Sequence, residues 1–81
     1  MVDHTVKSYD RELDTIARLL AEMGGVAEKM VIEAVDALAY ADTVLAHQVI
    51  ATDPRLDALQ REIEDLAVMT IARRQPCAAD L

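Results

Sequence analysis

In the stretch DPRLD, Asp53 and Asp57 stand four residues apart, which places both carboxylates on one face of a helix. Cations are held by carboxylates at such spacing when a second helix adds further donors. The same two residues also have a purely structural use. Asp53 precedes Pro54 and can cap a helix starting there. Asp57, Arg61 and Asp65 form a ladder of opposite charges at i, i+4 spacing. Glu33 and Asp36 are three apart in EAVD, fall off the apolar face, and read as solvated surface. His4 and His47 have no carboxylate–histidine spacing around them, and each reads as a surface or boundary residue. Cys77 is the single cysteine, so no disulfide can form within the chain. It follows a proline without basic neighbours and reads as an ordinary thiol rather than a reactive one. With no Gly-rich phosphate loop and no nucleophile–base arrangement, the sequence predicts a protein that is not an enzyme.

The elements that would carry these residues are helices. From Val6, steps of three and four land on Tyr9, Leu13, Ile16, Leu20, Met23, Ala27, Met30, Ala34, Ala37 and Ala41. Ala17, Val31 and Leu38 widen this seam to a bundle-type face. The pattern predicts one helix from roughly His4 to Tyr40, about 55 Å long at 1.5 Å per residue. Its seam is bulky in the first half and mostly alanine in the second, with Gly24-Gly25 at the change. Two glycines inside a helix cost roughly 1 kcal/mol each relative to alanine. They read either as a tolerated weak spot or as a notch that a partner helix exploits.

Asp42 is a good N-cap for a short helix over Val44 to Ala51. Asp53-Pro54 then predicts a third helix, from about Pro54 to Arg74, with a seam of Leu56, Leu59, Ile63, Leu66 and Thr70 flanked by Ala67 and Ile71. Pro76 ends it, and Ala78 to Leu81 reads as the first turn of another helix. The fold class expected is all-α: a long helix packed antiparallel against a composite arm as a helical hairpin.

Composition agrees. Hydrophobic residues make up 53% of the chain but aromatic residues only 2%, so the apolar material is aliphatic, as in packed helices. The net charge of −7 argues against nucleic acid and anionic lipid, and favours a basic protein surface as partner. The apolar runs are too short to span a bilayer. A polar start and a lone cysteine predict a cytoplasmic location.

The segments LAEMGG at Leu20–Gly25, AVDAL at Ala34–Leu38 and IARRQPCAADL at Ile71–Leu81, with their spacing, resemble the PhoU family of bacterial phosphate-transport and phosphate-signalling accessory proteins. DTVLAHQVIATDPRLDALQREIEDLA resembles the family's linker helix and the helix after it. The resemblance runs from about His4 onward, and Arg73-Arg74-Gln75-Pro76 with Ala78, Asp80 and Leu81 is its most specific piece. It implies a repeat of three-helix bundles of which residues 1–81 supply one partial module, ending in the first turn of a further helix. The sequence therefore reads as a fragment, a truncated product or a minimal relative.

The resemblance also implies function. Such proteins link a phosphate-transporter ATPase to a sensor histidine kinase and favour repression of phosphate-starvation genes. Some bind iron or zinc through E/D-x-x-x-D motifs, which Asp53 and Asp57 fit, while the companion motif belongs to a helix beyond this sequence. A lone hairpin with an apolar face should also pair with itself, as a homodimer or higher oligomer forming a helical bundle. Glu28, Glu33 and Asp36, on the outer face of the long helix, are the residues expected to meet a basic partner. Two alternatives remain at this level: a self-assembling hairpin without signalling activity, and a carboxylate metal-binding bundle.

Overall fold

The computed structural model describes the backbone of residues 2–74 and the side chains of residues 6–74. Two helices make the whole of it: α1, Val2–Tyr40, and α2, Thr43–Arg74. They pack as an antiparallel hairpin measuring 60 × 23 × 13 Å. The Cα radius of gyration is 18.7 Å, against about 12 Å for a compact domain of this length. The described hairpin is thus two helices thick in one direction and one helix thick in the other, and encloses little core by itself. Val26, Ala37 and Leu59 are the only apolar residues that become buried among the described residues, at 8%, 7% and 6% exposure.

The turn explains where α1 stops. Ala41 adopts a left-handed backbone, φ 50°. The Asp42 N–H donates to the Ala37 carbonyl at 2.9 Å and the Ala41 N–H to the Leu38 carbonyl at 3.4 Å, the paired bonds of a Schellman cap. Asp42 also starts α2, as expected: its Oδ1 accepts from the Leu45 N–H at 3.0 Å. One residue therefore closes one helix and opens the next. Alanine is strained at a left-handed position where glycine is not. Ala41→Gly should therefore stabilise the hairpin by about 0.5–1 kcal/mol, seen as a Tm a few degrees higher. A lower Tm would mean that the Ala41 methyl has a packing role.

The composite second arm is a correction. No break or new cap occurs at Asp53-Pro54, because α2 runs unbroken through both. Pro54 lacks an N–H, so the Ile50 carbonyl has no i+4 donor. The reason lies in the packing. Leu45, Val49, Thr52, Leu56, Leu59, Ile63, Leu66 and Thr70 follow one another by alternating steps of four and three, and all are half-buried or buried. A break would throw half of that seam out of register with α1. The Asp57–Arg61–Asp65 ladder is a second correction. Among the described residues Arg61 closes no ion pair within 4 Å, and Gln60 Nε2 donates to Glu64 Oε1 at 2.9 Å instead. The expected helix start at Ala78–Leu81 lies outside the described residues.

Candidate interaction surface

The broad apolar stripe of α1 resolves into two seams. Ile16, Met23, Met30 and Ala37 turn toward α2 and are half-buried or buried. About a quarter turn away, Leu13, Leu20, Val31 and Leu38 remain 44%, 48%, 64% and 84% exposed. Near the turn this second seam opens into a hollow of about 510 Å³ between the helices, walled by Ala34, Ala37, Ala46 and Ile50. On α2, steps of three and four from Ala46 and Ile50 lead to Asp53, Asp57 and Glu64. The groove thus has an apolar wall on α1, and on α2 a wall that is acidic in its middle.

Gly24 and Gly25 both lie within α1 and are exposed. A Cβ added at either would meet nothing within 4 Å. The hairpin's own second helix therefore makes no use of this gap.

The opposite groove is polar. Val26, Met30, Glu33, Gln48, Thr52 and Arg55 line it. Glu33 was expected on the outer face, but its side chain is only 24% exposed and pairs with Lys29 at 3.6 Å. Glu28 and Asp36 are exposed. The three acids span about 140° of the helix circumference at 100° per residue, so they do not form one patch.

At the open end of the hairpin an ionic clasp ties α2 to α1. Arg73 Nη1 lies 2.6 Å from Glu12 Oε1, and Arg74 Nη2 lies 3.5 Å from the same oxygen. The Arg74 guanidinium sits over the Tyr9 ring, 5.1 Å from its centroid. Glu12 is only 16% exposed, so this pair is screened less than the surface pair Asp14–Arg18. The sequence reading did not find Glu12. The signal was present: Glu12 and Arg73 are almost equidistant from the turn, so an antiparallel hairpin must bring them together.

Asp53 and Asp57 are both exposed on α2. No group of three or more His, Cys, Asp or Glu side chains that could hold a metal forms among the described residues. Two surface carboxylates from one helix fall short of the four donors of a closed zinc site, so these residues alone do not fit iron or zinc. His47 is exposed; the His4 side chain and Cys77 lie outside the described residues. No helix among the described residues is long and apolar enough to cross a membrane.

The described residues thus form a thin, all-α hairpin with an open apolar groove. The PhoU domain family matches residues 20–81, and the chain belongs to that family. A phosphate-specific transport system accessory protein PhoU homolog of Caulobacter vibrioides is 49% identical over 81 residues, covering 100% of this chain and 35% of that protein. A homolog of the same name from Rhizobium meliloti is 46% identical over 78 residues, covering 96% of this chain and 33% of its own length. One from Pseudomonas aeruginosa is 40% identical over 81 residues, covering 100% and 34%. The chain spans about a third of the length of these relatives. No solved structure matches it significantly.

Proposed function

We propose that this chain acts in the regulation of phosphate uptake and phosphate-starvation signalling, by protein–protein contact and without catalysis. The observation that carries this is the open apolar groove on a chain whose relatives are named as phosphate-transport accessory proteins. The partners proposed are the phosphate-transporter ATPase and a sensor histidine kinase, met in the cytoplasm. A net charge of −7 suits basic surfaces on both and would speed encounter.

The test has two arms. Produced in a bacterium lacking its own relative, the chain should lower a phosphate-starvation reporter when phosphate is plentiful. Charge reversal of the exposed pair, Glu28→Lys with Asp36→Lys, should weaken binding to the isolated kinase about tenfold, chiefly by slowing association. An unchanged reporter together with unchanged binding would overturn the proposal.

A further inference from the structure

We infer that the polar face of the hairpin, at its open end around Lys7, Arg11, Arg18 and Arg73, docks an acidic helix of another protein. The reason is a segregation of charge. α1 carries four basic residues, Lys7, Arg11, Arg18 and Lys29. Successive ones are 4, 7 and 11 residues apart, so at 100° per residue they fall within about 40° of one another around the helix. Lys29 lines the polar groove, which fixes the side on which this strip runs. On α2, Arg55 lines the same groove, and Arg73 follows it by 18 residues, about five whole turns. The contact of Arg73 with Glu12 sets it level with Arg11. Half of the chain's 8 basic residues thus gather at one end of one face, in a molecule of net charge −7.

The acids nearby are already engaged or lie at the boundary. Glu12 is held by Arg73 and Arg74, and Asp14 pairs with Arg18 at 3.6 Å. That second pair is 73% and 74% exposed, so it holds little energy and exchanges readily for a better partner. Among the described residues Arg11 closes no ion pair within 4 Å. Glu22, one turn beyond Arg18, and Glu62, at the same level by the Glu12–Arg73 register, bound the patch. A bilayer is a plane and would meet those two acids as well, and the chain has no Trp or Phe to anchor it there. A helix about 10–12 Å wide can lie along the patch without touching them. It also matches the spacing, since carboxylates four and seven residues apart on it would meet Lys7, Arg11 and Arg18 in turn. Met69, 50% exposed and one turn before Arg73, offers that helix an apolar anchor. The apolar groove lies on the other side of the hairpin, so a helix packed there would leave this face outward. The inference is independent of the regulatory reading, which uses Glu28 and Asp36 against basic surfaces.

The test is an NMR titration of the 81-residue chain with a helical peptide that carries glutamates at such spacing along one face. Amide shifts should move over residues 7–18 and beside Arg73, but not over residues 53–64, and added salt should weaken the binding. The same peptide with glutamine for every glutamate should not bind. Two charge reversals alter the net charge equally: Arg11→Glu within the patch, and Arg61→Glu, exposed on the outer side of α2. Arg11→Glu should weaken binding about tenfold, while Arg61→Glu should leave it within about twofold. Should Arg11→Glu fail to fold, Arg11→Gln with Arg18→Gln makes the same change in charge and carries the same expectation. Equal loss from the patch variant and Arg61→Glu, or no shift at about 1 mM peptide in low salt, overturns the inference. Tighter binding to vesicles of phosphatidylserine and phosphatidylcholine than to the peptide, lost in the patch variant, overturns the acidic helix and assigns the patch to a lipid surface.

Discussion

Leu59→Ala should leave the hairpin largely unfolded at room temperature. Among the described residues Leu59 is the largest side chain that becomes buried, at 6% exposure, and only Val26 and Ala37 share that status among apolar ones. Truncating a buried leucine costs about 2–5 kcal/mol. The lower half of that range applies here, because a groove open on two sides can collapse around the space. Even so, small folds with few buried residues have only a few kcal/mol in total. Far-UV circular dichroism during urea unfolding should show most of the helical signal gone before denaturant is added. Val68→Ala, at a site 67% exposed, is the control and should shift stability by no more than about 0.5 kcal/mol. Equal effects from the two would mean that α2 does not pack on α1 through the Leu59 face.

The second large effect has the opposite sign. Pro54→Ala should raise stability by up to about 3 kcal/mol. The substitution returns an N–H to bond the Ile50 carbonyl and removes the ring that crowds it. Pro54 is exposed, so little burial is lost. Close by, the Thr52 Oγ1 donates to the Gln48 carbonyl at 2.9 Å, a back-bond of the kind that tends to bend helices. Hydrogen exchange should slow at the amides just after Pro54, and the urea midpoint should rise without a change in slope. A stabilised variant that no longer lowers the starvation reporter would place a regulatory contact at the proline. A variant that gains nothing would mean the Ile50 carbonyl is already satisfied.

Local rules were legible in the residues themselves. The 3–4 spacing defined α1 to within two residues of its start and at its end. Asp42 announced the N-cap because a short acceptor before an apolar run has few other uses. The α2 seam from Leu56 to Thr70 could be read directly. Proline does not act as punctuation at position 54, where α2 runs on. The register Leu45–Val49–Thr52–Leu56 continues across it, and a shared packing face outweighs one missing hydrogen bond.

The sequence by itself determined an aliphatic, acidic, all-α hairpin, its turn and its family, because these depend on periodicity and on residues near one another in the chain. Only the tertiary structure decided which part of the wide α1 stripe meets α2 and which part stays open. It also moved Glu33 from the outer face into a groove and paired Glu12 with two arginines 61 and 62 positions away. Periodicity fixes a residue's angle about its own helix but not the direction from which a neighbour arrives. That direction is set by how the two helices lie against each other, a property that neither helix carries alone.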